Sequence, residues 1–428
     1  MIKYFIRFSK ACINTFLDKS IRINLFSIYL LQFANYIIPF LTIPYVVRVL
    51  GPSNFGQITF SLSFLNLFVE FTNFGFNWSG VRDISGVREH YDKLSKEFSS
   101  ILLAKLILLF ISIITICFSI LLSNKLFEVK LLLIILIGII IGNALAPVWL
   151  FQGIEKMSYI NILNILVRLF SIILIFLLVK EPSDYIIYAS ILSLQWFIFG
   201  LAGLYIGYSI VKVKFLKVSF LSAIEKIKNS FYLFLAQGFH YLYTAANEFI
   251  LGLLANYREV GIYSGASKIV IVFASLLTPM VQTFFPRFSV ITSKFDNNFK
   301  SIFYTFIVIN LIIGSILTII LFFCAPILVK ILLGNKFVES LDVLRILSFL
   351  PLIISLPYSL TASVIIPLKR DKNYLLILFV ASLFNIILAI ILVPIFQAKG
   401  MAISYLASET LVSILILCLS IKLIKNKV

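Results

Sequence analysis

Seven ionisable residues stand inside long apolar runs of this 428-residue chain: Glu70, Lys105, Arg168, Glu248, Lys268, Arg345 and Glu409. A charge among Leu, Ile and Phe is costly, so it faces a water-filled cavity or a partner of opposite sign. A carboxyl there can take up a proton or a cation, and a guanidinium can hold an anionic group such as a phosphate. Glu70, Arg168 and Glu409 lie near the middle of their runs, where a cavity role and an interhelical ion pair are both open. Lys105, Lys268 and Arg345 lie within about two turns of a run's end, so their stems can also carry the charge to the interface. Glu248 is intermediate.

A second cluster, GFNWSGVRDISGVREH at 75–90, brings Arg82, Asp83, Arg88, Glu89 and His90 together where a Phe- and Leu-rich stretch ends. It does not make a catalytic centre. His90 and His240, the two histidines, have no Ser or Cys motif about them, and there is neither a glycine-rich phosphate loop nor a carboxylate cluster. No enzyme, cofactor or metal is implied. Cys12, Cys117, Cys324 and Cys418 lie far apart, without metal or disulfide spacing, and read as small apolar fillers.

The elements that must hold these residues follow from composition. Hydrophobic residues make up 61% and charged residues 13%, with a mean hydropathy of +1.08. Soluble domains carry about 45–50% and about 25%, so the solvent here is a bilayer. The net charge of +18 comes from basic residues between the apolar runs. That is the placement of juxtamembrane anchors and not of a nucleic-acid surface.

A membrane-crossing helix needs about 20 apolar residues. Such runs occur at 23–47, 55–80, 98–122, 130–151, 158–179, 185–209, 229–254, 262–287, 301–325, 340–366, 373–395 and 399–421. The chain is therefore expected to be an all-α polytopic membrane protein of about 12 transmembrane helices. Lys and Arg total about 24 on the side of both termini and about 8 on the other, which makes both termini cytoplasmic. Residues 1–22 read as a retained interfacial segment and 211–228 as a basic cytoplasmic linker, with a tail at 423–428. The linker separates six-helix bundles at 23–210 and 229–422. A shift of 205 residues superposes Gly56 on Gly261 and Arg82 on Arg287, as a duplicated chain would.

Pro39 and Pro44 interrupt the first run, Pro279 and Pro286 the eighth, and Pro351 and Pro357 the tenth. Each removes a helix hydrogen bond. Such a kink serves as a gate or as a static bend.

Four stretches, LTIPYVVRVLGPSNFGQITF (41–60), FGFNWSGVRDIS (74–85), PVWLFQGIEKM (147–157) and VGIYSGASKI (260–269), resemble the Wzx-type polysaccharide flippases. That family shares a superfamily with MATE antiporters and the lipid II flippase MurJ, and the resemblance covers nearly the whole chain. It implies two six-helix bundles in a V about a cationic cavity. It also implies a bacterial inner-membrane protein that moves an undecaprenyl-diphosphate-linked sugar repeat unit, O-antigen foremost, from the cytoplasmic to the periplasmic face. Its partners would be the lipid-linked oligosaccharide, membrane lipid, and the polymerase and chain-length regulator of the pathway. Arg48, Arg82, Arg168, Lys268 and Arg287 become diphosphate contacts, the first two within the quoted motifs and the rest by position. Asp83 joins Pro39 and Pro44 as a gate residue, while Glu70, Glu248 and Glu409 serve ion coupling or counter-charge. The alternatives are a capsule or exopolysaccharide flippase and a MATE-type cation or drug antiporter, which would bind cations through the same three acids.

Overall fold

The computed structural model describes the backbone of residues 19–292 and 297–425, with side chains from Thr42 onward except for several between 286 and 301. The described residues contain helices and no strands. In chain order the helices are α1 Lys19–Asn73, α2 Phe76–Ser85, α3 Tyr91–Leu122, α4 Asn124–Glu128, α5 Lys130–Leu145, α6 Val148–Gly153, α7 Met157–Leu178 and α8 Tyr185–Ser209. There follow α9 Phe220–Thr244, α10 Asn247–Leu254, α11 Tyr257–Ala274, α12 Thr278–Ile291, α13 Asn297–Leu328, α14 Ser340–Leu347, α15 Leu350–Leu360 and α16 Asp371–Lys425.

The twelve expected runs all fall on helix. Eight stretches of described helix are each long and apolar enough to cross a bilayer. The 55-residue α1 carries the first two runs across a kink at Gly51, whose φ of 73° and ψ of 172° suit glycine alone. The 55-residue α16 carries the last two across a kink at Gln397. Phe110, Leu121, Phe323 and Ile395 stand exposed on the helix exteriors, as lipid-facing side chains do. The interfacial segment expected at 1–22 lies outside the described residues up to position 18. The basic linker is shorter than expected, because Ser219 Oγ accepts from the Ser222 N–H at 3.2 Å and starts α9 inside it.

Packing divides the chain into two compact units, Val49–Gly261 and Met1–Arg48 with Ile262–Val428. Their boundaries differ from those of the six-helix halves read from the sequence, since α9 and α10 cluster with the helices before them. The cause is close docking of α9 on α2 and on the break before it. Phe74 stacks on Phe234 at 4.3 Å, and Ser79 and Ser230 share a 2.7 Å hydrogen bond. A Cβ on Gly75 would stand 2.7 Å from Leu233 Cβ.

Gly56 and Gly261 meet in the first of these units. A Cβ on Gly56 would lie 1.7 Å from Tyr257 O, and one on Gly261 would lie 2.0 Å from Pro52 O. Tyr257 and Gly261 each stand 205 residues beyond Pro52 and Gly56, so the two approaches are reciprocal in the register of the internal echo. Only backbone fits there. Gly56→Val and Gly261→Val are each expected to lower stability by about 1–3 kcal/mol or more through overpacking. Thermal unfolding of the purified protein, compared with Gly238→Val, whose Cβ would meet nothing within 4 Å, checks this.

Candidate functional site: buried charge at helix breaks

A backbone group freed by a break in a transmembrane helix has no water to bond, so protein must satisfy it. Three such breaks occur in the unit Val49–Gly261. The first separates α1 from α2 at Phe74 and Gly75, whose φ values are 43° and 78°. The second separates α5 from α6 at Ala146–Pro147. Pro147 has no N–H to offer Asn143 O, four residues back. The third separates α9 from α10 at Ala245–Ala246. There Ser63 Oγ donates to Ala245 O at 2.8 Å and accepts from the Phe249 N–H at 3.3 Å. One hydroxyl is spliced into the missing helix bond. Tyr241 Oη donates to Ser63 O at 2.8 Å and holds the splice in place.

Lys105 of α3 joins the first two breaks. Its Nζ donates to Asn143 O at 2.9 Å, the carbonyl that Pro147 leaves open, and to Asn73 Oδ1 at 3.1 Å, at the end of α1. Glu70, one turn before Asn73, lies within electrostatic reach of this ammonium. Lys105 is only 1% exposed, so it does not carry its charge to the interface. Glu248, in the first turn of α10, and Glu70 both lie within electrostatic reach of the Tyr241 phenol.

The unit containing Ile262–Val428 holds its carboxylate differently. Glu409 is buried on α16, hydrogen-bonded to Tyr405 and facing Tyr374. Tyr263 and Tyr358 in turn lie near Tyr405. Arg48 is exposed, and its Nη2 donates to Ile331 O, within a π-helical turn at Val329–Leu333 that ends at Gly334.

The residues expected to form one cavity are thus placed variously. Arg168, near the middle of α7, is half-buried and has no hydrogen-bond or ion-pair partner among the described residues. Lys268 and Pro44 line a small cleft with Ile43, Val272 and Leu332. Arg82 is exposed beside Asp83, and Arg345 is exposed over the Phe322 ring. The side chains of Pro39, Pro286 and Arg287 lie outside the described residues. Asn73, Asn143, Ser63 and Tyr241 were not singled out from the sequence. Their polarity in an apolar run was the available signal, and Pro147 marked the open carbonyl.

A family model described as polysaccharide biosynthesis protein matches residues 21–292. An Escherichia coli (strain K12) protein named "Putative O-antigen transporter" is 30% identical over 93% of this chain and 96% of its own. The chain belongs to the polysaccharide biosynthesis protein family. In fold it is similar to an inward-closed lipid II flippase MurJ, at TM-score 0.74 and 17% identity over 93% of this chain and 87% of that one. It is also similar to an inward-facing MATE family multidrug resistance transporter, at TM-score 0.72 and 12% identity over 92% and 95%. These are transporters, and the chain is a membrane transporter of the polysaccharide biosynthesis family rather than a catalyst.

Two stretches that carried the resemblance to this family pack on each other. A Cβ on Gly80 would lie 3.5 Å from the Trp149 ring, and one on Gly153 would lie 2.5 Å from Ile84. Arg82 and Asp83 sit on this platform, and their chemistry is electrostatic. Lys226 of α9 donates to Asp83 Oδ2 at 2.7 Å and pairs with Glu97 of α3, while Arg82 Nε stands 3.6 Å from Asp83 Oδ1. The cluster ties α9 to α2 and α3.

Partial burial alone would lower the Lys226 pKa, but the hydrogen bonds and charges of Asp83 and Glu97 outweigh it and raise the net value. A raised lysine pKa contributes stability that is present below the unfolded value and lost as pH rises through the folded one. The stability advantage of the wild type over Lys226→Met is therefore expected to be full at neutral pH and to fade only above the ordinary lysine value of 10.5. Thermal melts of both proteins between about pH 7 and pH 11 read this. An advantage already lost by pH 9 would show that the latch is not held by the ammonium.

Proposed function

We propose that the protein is a flippase moving undecaprenyl-diphosphate-linked oligosaccharide repeat units, O-antigen units foremost, from the cytoplasmic to the periplasmic face of the bacterial inner membrane. The observation that carries this reading is the near full-length match to a relative named as an O-antigen transporter. In the proposal both termini are cytoplasmic, two six-helix halves alternate access, and ion movement drives the cycle. The polymerase and chain-length regulator of the pathway receive the product.

The physical problem is to carry a diphosphate and a hydrated sugar past hydrocarbon while the polyprenyl tail stays in lipid. Basic side chains in a wet cleft offset the charge, and Arg matches phosphate oxygens with two parallel donors. Arg168 is the foremost candidate, because a deep guanidinium without a protein partner costs about 3 kcal/mol or more unless something else meets it. Glu70 lies within electrostatic reach of Lys105, which supplies its counter-charge, so Glu70 is not needed as the counter-ion of Arg168. Arg82, Lys268 and Arg287 complete the basic set. Arg48 uses one of its donors on Ile331 O and keeps others for phosphate.

Disrupting the gene is expected to leave lipid-linked repeat units on the cytoplasmic leaflet and to remove surface polymer, read by leaflet-selective labelling of the glycan. Persistent polymer together with new sensitivity to cationic drugs would instead mark a MATE-type antiporter.

Arg168 separates substrate contact from structure. Arg168→Lys keeps the charge but loses the two-pronged geometry, so flipping should fall about tenfold, near the 1.4 kcal/mol of one charge-assisted bond. Arg168→Ala should abolish flipping, with normal protein abundance in both variants. Loss of abundance in both, by immunoblot of membranes, would make Arg168 a structural residue.

A further inference from the structure

The surroundings of Lys105 contain more than a lysine's anchorage. An ammonium has three N–H donors, and here two are used, on Asn73 Oδ1 and Asn143 O. Neither acceptor carries a charge. Among the described residues the carboxylate within electrostatic reach is Glu70, one turn from Asn73 on the same helix. An amide oxygen, a backbone carbonyl with no helix donor and a carboxylate form a hard-oxygen set. That is the chemistry which holds small hard cations, and the group held is a cation tethered to α3.

We propose that the Lys105 ammonium occupies an alkali-cation site built from Asn73 Oδ1, Asn143 O and the Glu70 carboxylate. Removing the lysine side chain should leave this unit able to bind a free alkali cation. Each oxygen has its own reason to be there. Pro147 withholds the N–H that would otherwise claim Asn143 O, and the break at Phe74–Gly75 ends α1 at Asn73. The whole lysine side chain is buried. In the wild type the site is permanently filled, so Glu70 serves as counter-charge there and not as a site for an exchanging alkali ion. The inference concerns binding alone and holds whatever the transported substrate is.

Thermal unfolding of purified Lys105→Ala in sodium, potassium and choline chloride at equal ionic strength tests it. Sodium or potassium is expected to raise the midpoint of this variant by about 4 °C or more over choline at concentrations well above the dissociation constant. The wild type should show a smaller rise, set only by whatever else in the protein binds alkali ions. Lys105→Met, which keeps a long side chain at the position, and Glu70→Gln/Lys105→Ala, which lacks the carboxylate, should match the wild type. An alkali effect of equal size in the wild type or in Lys105→Met would overturn the proposal. So would a Lys105→Ala protein that melts alike in all three salts. Yield of folded protein from membranes prepared in each salt is the second readout, and collapse that is equal in sodium and choline also counts against it.

Discussion

The bond from Lys105 Nζ to Asn143 O expresses the constraint on which the rest of this structure depends. Hydrocarbon offers no substitute for a lost backbone hydrogen bond, so a helix can be broken inside it only where a side chain is ready to take the freed group. The same rule accounts for Ser63 at the α9–α10 break and for Arg48 on Ile331 O. It also accounts for Thr292 Oγ1, which donates to Ser363 O at 2.9 Å in the π-helical turn that follows α15. Polar residues in the spans are therefore not all candidates for substrate. Several are the price of bending a helix.

That rule changes how the motif stretches are understood. Residues 41–60 contain the Gly51 kink and the Gly56 approach, 74–85 begin at the Phe74–Gly75 break, 147–157 begin at Pro147, and 260–269 contain Gly261. In each, the distinctive residues serve a break or a backbone contact. Trp149 is buried against Phe98, with ring centroids 5.6 Å apart. The Arg82–Asp83 pair belongs with Lys226 and Glu97 to a cluster that ties the start of α9 to α2 and α3.

The spans were legible because the bilayer imposes length and composition directly on the sequence. Some kinks written in proline were legible for the same local reason, but Pro39 and Pro44 lie inside continuous helix of α1, whose non-helical residue is Gly51. Pro279 opens α12 after a tight turn at Ser275–Leu277, and Pro357 lies within α15 one turn before the π-helix. The break at Ala245–Ala246 was not legible, since alanine favours helix and nothing local marks the site. It exists because Ser63, far away in sequence, takes both ends of the missing bond. For Lys105 the sequence leaves two placements open for a related reason. Its distance from the span end allowed a stem to reach the interface, and only the three-dimensional packing of α1, α3 and α5 shows that it turns inward. The same limit hid the docking of α9, whose run opens the second half by order but whose Phe234, Ser230 and Lys226 side chains bind α2.

The two units compensate the acids within their helices by different means. In Val49–Gly261 the positive charge is covalently supplied, by Lys105 within electrostatic reach of Glu70. In the unit with Ile262–Val428, Glu409 has a phenol, Tyr405, as its hydrogen-bond partner, with Tyr374 close by. No Lys or Arg among the described residues pairs with it. A tethered ammonium cannot leave, whereas a carboxylate held only by hydroxyl dipoles can exchange whatever cation or proton balances it. A transport cycle that used the acids of this chain would then have one fixed and one exchangeable charge. On that division Lys105 ties α3 to α1 and α5 through Asn73 Oδ1 and Asn143 O, and the charge opposite Glu70 is part of the helix packing.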